Sequence, residues 1–274
     1  MNPFTVLLNH FYLTIDASTY RAISRSRFLR EHFAPNEIRT THRTDRSYTG
    51  LYFYGAKTYF EFFDVTTETT RHIGDSAIAF GLEHKGVTTL LQQKWPNSTR
   101  LTITRPSNER QVNWFEMLIP PNFTLESPIA VWSMEYLPTF LKEWKNSSDI
   151  PVMSEENINR SAVLERYKSI IPAIKNPILK NVIGLTIWVD SAVYQAFEQF
   201  AGDFGYLTTA IENGFSFSDA EGVTYQISLS GGRLHGITEV RFEVTDVPGQ
   251  QVWEFGNSTL TFQEEHTAIW RFNE

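Results

Sequence analysis

The sequence predicts an α+β protein built from repeated βαβββ modules, with a degenerate C-terminal half. Three observations predict it. Aromatic residues make up 14% of the 274 positions, with 21 Phe, 11 Tyr and 7 Trp, and such side chains favour pleated, half-buried surfaces. The order strand, helix, three strands is read twice before residue 137. The stretch His10–Tyr20 also aligns with Gly184–Tyr194, matching Asp16 to Asp190, Tyr20 to Tyr194 and Ala22 to Ala196, as expected of an internal repeat.

The first module opens with an alternating strand, Leu7 to Ile15. Asp16 or Ser18 follows as an acceptor for free amides at a helix start, and the helix is expected to run to about Phe33 with Tyr20, Ile23 and Leu29 in its apolar stripe. Pro35 marks its end. Strands are expected at Ile38–Arg43, Tyr48–Tyr54 and Thr58–Val65, the last two joined by Gly55-Ala56-Lys57 as a hairpin. The second module has a strand at Ala77–Glu83 and a short helix with Val87, Leu90, Leu91 and Trp95 on one face. Its strands are expected at Leu101–Thr104, Val112–Ile119 and Pro128–Tyr136.

Residues 137–178 are expected to be a helical connector, with a loop at Asn146–Asp149 and a helix over Glu155–Ile171 carrying acids in its first turn. The third module opens with a strand at Val182–Val189 and an amphipathic helix marked by Val193, Phe197, Phe200 and Phe204. Strands then follow at Tyr206–Ile211, Val223–Leu229, Ile237–Thr245, Ser258–Phe262 and Thr267–Phe272, with no second helix. The expected organisation is a two-module domain over 1–136, the connector over 137–178, and a third module with a degenerate fourth over 179–274.

Composition narrows the function. The net charge is −7 with dispersed acids, and no basic stripe offers the concentrated positive charge that nucleic acid requires. There is no cysteine, which removes disulfides, thiolate nucleophiles and Cys–metal sites. No apolar run is long enough for a membrane span, and the N-terminal stretch lacks the marks of a signal peptide, so a cytoplasmic location is expected. Phosphate loops, dinucleotide glycine motifs, His-Glu-x-x-His and Gly-x-Ser-x-Gly are all missing.

Side-chain alternation suggests where chemistry sits. His10 is expected to share a strand face with Leu8, Tyr12 and Thr14, while Phe11, Leu13 and Ile15 form the apolar face. Glu61 lies among four aromatics and shares a face with Tyr59 and Phe63. An ionised carboxylate there is costly unless paired, hydrogen-bonded or metal-bound. Glu135 raises the same question on the last strand of the second module, with Val131 and Ser133 on its face. Arg39, Arg43 and Arg46 lie within eight residues. They suit either an anionic substrate group or a solvated hairpin with internal pairs to Asp45.

The βαβββ repeat, with His10 in Leu8-Asn-His-Phe-Tyr12 and Glu61 in Tyr59-Phe-Glu-Phe-Phe-Asp64, resembles the vicinal oxygen chelate (glyoxalase/bleomycin-resistance) superfamily. Leu8–Val65, including Arg43-Thr-Asp-Arg-Ser-Tyr-Thr-Gly-Leu-Tyr-Phe-Tyr54, also looks like an uncharacterised bacterial family of glyoxalase-like proteins. The likeness is best over 7–136, weaker over 178–274 and absent in the connector. It implies open, curved mixed sheets. It also implies a divalent metal (Zn, Mn, Fe or Ni) held by His10, Glu61 and Glu135, with Glu61 or Glu135 moving a proton. The fourth ligand position of the pattern is Ala77 in the second module and Gly184 in the third, a departure from the superfamily.

Three readings follow. One is a metal-dependent isomerase, lyase or dioxygenase acting on a small molecule with adjacent oxygens. Another is a metal-free protein of the same fold that binds or sequesters a small molecule. For both, Tyr12, Arg43, Arg46, Tyr52, Tyr59, Phe63 and Trp132 are the expected substrate contacts. The third is a homodimer formed through aromatic sheet faces.

Overall fold

A computed structural model describes residues 6–44, 46–67, 71–107, 110–143, 158–232 and 235–272. The first module comprises β1 (Val6–Ile15), α1 (Ala17–Arg25), β2 (Asn36–His42), β3 (Ser47–Tyr54) and β4 (Tyr59–Asp64). The second comprises β5 (Ser76–Leu82), α2 (Val87–Lys94), β6 (Thr99–Ser107), β7 (Arg110–Ile119) and β8 (Ile129–Tyr136). They share one eight-stranded mixed sheet in the order β2-β3-β4-β1-β5-β8-β7-β6. The two module openings, β1 and β5, lie antiparallel at its centre, and each pairs in parallel with the last strand of its own module.

The C-terminal part builds a second sheet on the same plan. Its strands are β9 (Leu179–Val189), β10 (Thr209–Ile211), β11 (Gly214–Ser218), β12 (Thr224–Leu229), β13 (Gly236–Val244), β14 (Val252–Phe255), β15 (Ser258–Gln263) and β16 (Thr267–Phe272). The order is β10-β11-β12-β9-β13-β16-β15-β14. Between β9 and β10 runs α5 (Ser191–Phe204), whereas β13 passes to β14 without a helix. The last four strands therefore lack the helix that the other three groups carry. The short strands β11 and β14 were not read from the sequence. The fold class is α+β, with repeated βαβββ modules in open, curled mixed sheets.

Several local expectations need correction. The first helix ends at Ser26, where the backbone turns extended, and resumes as a single π-helical turn over Leu29–Phe33. The Ser26 hydroxyl accepts from the Leu29 amide at 3.3 Å, a local bond that competes with continuing the helix. The connector holds α3 (Pro138–Glu143) and α4 (Arg160–Ser169). The described helix α4 starts after the cap Asn159 and has no acid in its first turn. Glu155 and the loop Asn146–Asp149 lie outside the described residues. Among those described, no helix is long and apolar enough to cross a membrane.

The core lies between the two sheets. One face of the first sheet supplies Phe11, Phe53, Phe60, Phe62 and Phe80, all at most 1% exposed, and the second sheet meets it with Tyr225, Phe242 and Trp270, none exposed. Ring contacts cross the boundary at 5.5 Å for Phe60–Phe242, 5.2 Å for Phe62–Trp270 and 5.5 Å for Phe80–Tyr225. Such pairs contribute about 0.5–1.5 kcal/mol each beyond simple burial. Because side chains alternate, the residues between these aromatics face away from the core. Those residues build the site.

The aligned acids of the repeat do the same job in two modules. Asp16 accepts from the amides of Ser18 and Thr19 at 2.9 and 3.0 Å, and Asp190 from that of Val193 at 2.9 Å. Each caps its helix. Asp190→Ala should cost about 1 kcal/mol of stability, measured by urea unfolding, and Asp190→Asn should recover most of it.

Candidate functional site

The first sheet curls until its two edges meet. Thr44, just beyond β2, donates its amide to the Thr104 carbonyl on β6 at 3.4 Å, and its hydroxyl reaches Gln111 at 3.0 Å and also touches the Thr104 hydroxyl. The curl encloses a cavity of about 450 Å³ on the face away from the core. From β1 it is lined by His10 and Tyr12, from β3 by Tyr48 and Tyr52, from β4 by Tyr59, Glu61 and Phe63, and from β8 by Trp132 and Met134. Trp114, Phe115 and Met117 of β7 close the far wall, and Arg39, Arg43, Arg46, Arg71 and Glu126 complete the polar part.

Strand register explains the convergence. His10 pairs with Tyr59 and Tyr12 with Glu61 between β1 and β4, while Tyr52 pairs with Glu61 between β3 and β4. Directly opposed residues on adjacent strands share a face, so His10, Tyr59, Glu61, Tyr52 and Tyr12 form one patch. The register between β1 and β5 shifts by one residue at Asn9, where Leu8 opposes Phe80 and His10 opposes Ala79. Leu8 therefore turns to the core with Phe80 and does not share the face of His10. An irregularity of one residue reverses every side chain beyond it.

His10 is held from three sides. Its ring stacks on Tyr59 with centroids 4.5 Å apart and meets Trp132 edge-on at 5.8 Å. Its Nδ1 lies 2.8 Å from Asn9 Oδ1, and Asn9 also bonds the Tyr136 hydroxyl. In the orientation assigned to the Asn9 amide, its oxygen faces His10 and can only accept there. His10 is then the Nδ1–H tautomer with a lone pair on Nε2. Burial pushes its pKa down to about 3, so the ring is neutral at physiological pH.

Glu61 Oε1 lies 4.0 Å from His10 Nε2, beyond hydrogen-bond reach. Burial pushes the Glu61 carboxyl up. The Arg39, Arg71 and Arg46 charges and a hydrogen bond from Tyr52 pull it partly back, leaving it at about 7. The cavity thus holds a carboxyl that is half protonated near neutrality beside an imidazole acceptor. One ligand oxygen at ~2.8 Å from both atoms is compatible with their separation. A hydroxyl that donates to one and accepts from the other fits that place.

Glu135 is not in this cavity. It lies on the opposite face of β8 from Trp132 and Met134. There its oxygens accept from the amides of Gly86 at 2.6 Å and Thr88 at 2.9 Å, capping α2. Glu83, the residue that aligns with Asp16 and Asp190, instead pairs with Arg160 at 2.7 Å. Alternation accounts for the difference: Trp132 and Glu135 are three residues apart and cannot face the same way in a regular strand. Glu135→Gln should keep one acceptor, lower stability by about 1–2 kcal/mol and leave ligand affinity in the cavity unchanged, checked by urea unfolding and titration of the same variant.

The donor set does not fit a divalent metal. His10 and Glu61 supply only two ligating side chains, and among the described residues no three His, Cys, Asp or Glu side chains come together. Ala77, in the position where the superfamily pattern has a ligand, pairs with Tyr12 and carries no donor. Four guanidinium-bearing residues line the same space, and their charge opposes a cation.

Tyr12, Arg43, Arg46, Tyr52, Tyr59, Phe63 and Trp132 all line the cavity. Arg39 is in the wall but engaged elsewhere: it pairs with Glu37 at 2.9 Å and lies over Tyr52 at 4.3 Å. The alternative pairing with Asp45 lies outside the described residues. Sequence reading missed Asn9 and Arg71. Arg71 lies 4.1 Å over Tyr12 and 5.3 Å from the Phe63 ring, yet it follows a polar loop with no periodicity to point to it.

A family model described as "Family of unknown function (DUF5829)" matches residues 8–272. No curated protein matches the chain. Among solved structures, a hypothetical protein from Staphylococcus aureus is similar at 9% identity with a TM-score of 0.52, covering 96% of this chain and 97% of that one. A xylose isomerase-like TIM barrel/4-hydroxyphenylpyruvate dioxygenase fusion protein is similar at 7% identity with a TM-score of 0.50, covering 89% of this chain and 38% of that one. At such identities the likeness is one of fold.

Proposed function

The chain belongs to the DUF5829 family of unknown function, and we propose that it is a glyoxalase-like protein that holds a small molecule in the cavity of its first sheet and exchanges a proton with it through Glu61. The observation that carries this reading is the pair of His10 Nε2 and Glu61 Oε1, 4.0 Å apart in an enclosed aromatic cavity. A group that gives or takes protons works best with a pKa near the operating pH, and burial lifts Glu61 to about 7. Tyr52 steadies the carboxyl from one side, while Asn9 fixes the imidazole tautomer from the other. Perturbed titration inside a cavity is characteristic of working sites.

Titrating small aromatic hydroxy compounds against the native protein, following Trp fluorescence, tests this. Affinity should change with pH around 7 in the wild type. It should lose that dependence in Glu61→Gln and fall at least tenfold in His10→Ala, with Trp132→Phe identifying the reporter. Affinity that is flat with pH and indifferent to both substitutions sinks the reading.

The rival is a metal-dependent isomerase, lyase or dioxygenase, motivated by the same His10 and Glu61. It predicts stoichiometric Zn, Mn, Fe or Ni in the purified protein, lost on His10→Ala. Our reading predicts ligand binding that survives chelator.

A further inference from the structure

We propose that the molecule held in this cavity is an organic carboxylate with a flat apolar body, its charged group received between Arg46 and Arg71. The inference rests on the cavity being a small-molecule site and names the chemistry of its ligand. The chain as a whole carries a net charge of −7, yet the cavity wall gathers four arginines against two glutamates. One of those glutamates, Glu61, is only partly ionised near neutrality. Concentrating positive charge inside an acidic protein raises the local concentration of anions.

Two of these arginines stand over neighbouring rings of the same wall. Arg71 lies 4.1 Å over Tyr12 and Arg46 lies 5.5 Å over Tyr48. Phe63 touches both tyrosines, at 5.3 and 5.6 Å between ring centroids. The two guanidiniums thus sit against the two tyrosines that border Phe63, and Arg71 also approaches the Phe63 ring itself, at 5.3 Å. Guanidinium groups stacked on aromatic faces stay charged and carry several donors around their edge, so Arg71, which also hydrogen-bonds the Tyr12 side chain, can add a carboxylate to its partners. The aromatic rings around them suit a flat, apolar ligand body. His10 and Glu61 lie two residues along the same strands from Tyr12 and Phe63, so the ligand's remaining polar group falls to them.

Three matched probes separate the possibilities in the full-length protein, by ligand-observed NMR and competition: phenylacetate, the neutral phenylacetamide and the cationic phenethylamine. Phenylacetate should bind at least tenfold more tightly than phenylacetamide, and phenethylamine most weakly. The preference should shrink as salt rises, collapse in the Arg46→Gln, Arg71→Gln double variant and persist in the Lys,Lys variant. Equal or tighter binding of the amide or amine by the wild type overturns the carboxylate assignment while leaving the cavity a ligand site. Anion preference that persists in the Gln,Gln variant overturns the placement on these two arginines. Failure of all three probes to compete for the cavity overturns both the assignment and the reading beneath it.

Discussion

Arg160→Met should lower the unfolding free energy by about 3 kcal/mol, the cost expected when one member of a buried ion-pair network is removed. The guanidinium is 4% exposed and joins three parts of the chain. Its Nε reaches Glu83 Oε1 at 2.7 Å beyond β5, and its Nη2 reaches Glu221 Oε2 at 2.9 Å in the turn between β11 and β12. Its Nη1 donates to the Leu8 carbonyl on β1. The connector helix α4 thereby fastens the first sheet to the second. Methionine keeps the apolar stem and removes the charge with its donors, and because Glu83 and Glu221 are partly exposed, the loss sits at the lower end of the range for buried pairs. Gly81 makes room for the stem: a Cβ there would stand 2.8 Å from Arg160 Cδ. Urea unfolding of Arg160→Met checks this. A loss under 1 kcal/mol for Arg160→Met would show that the network adds nothing net.

Glu61→Gln should make the protein more stable above neutrality, by about 3 kcal/mol at pH 8, and leave it nearly unchanged at pH 4. The magnitude follows from about 1.36 kcal/mol per pKa unit. The sign follows from proton linkage. Glu61 has an ordinary value of 4.5 and titrates at about 7 when folded, so between those values the folded state holds more protons than the unfolded one. Its contribution is fully present below about 4.5 and is lost as pH rises through about 7. His10 acts oppositely. Its folded value of about 3 lies below the ordinary 6.5, so its contribution is present above 6.5 and is lost as pH falls through about 3. The His10 contribution largely cancels between wild type and Glu61→Gln. Unfolding curves for both proteins from pH 4 to 8 give the difference directly, and a constant difference would contradict the burial of an ionisable carboxyl at this position.

How far the site was legible depends on the range of each signal. Alternation along β4 was enough to put Tyr59, Glu61 and Phe63 on one face, and alternation along β1 put His10 with Tyr12. Both patterns span a few residues of one strand. The three-residue offset between Trp132 and Glu135 carried the same information, and alternation separates them: one lines the cavity and the other caps α2. Arg71 left no local trace, since what makes it part of the site is its approach to Tyr12 and Phe63 from a loop.

From the order of residues alone came the βαβββ plan, its weakening after β12, the acids that start α1 and α5, and the polar members of the aromatic strands. Those features rest on backbone preference, side-chain alternation and capping, which act between near neighbours in the chain. Only the folded molecule decided that Asn9 shifts the register, that the two sheets share a core through Phe60, Phe242 and Trp270, and that an imidazole, a carboxyl and a set of guanidiniums meet in one cavity. Those outcomes depend on which strands lie side by side and how tightly the sheet curls, and such pairings join residues far apart in sequence whose free energy of contact exists only once the chain has closed on itself.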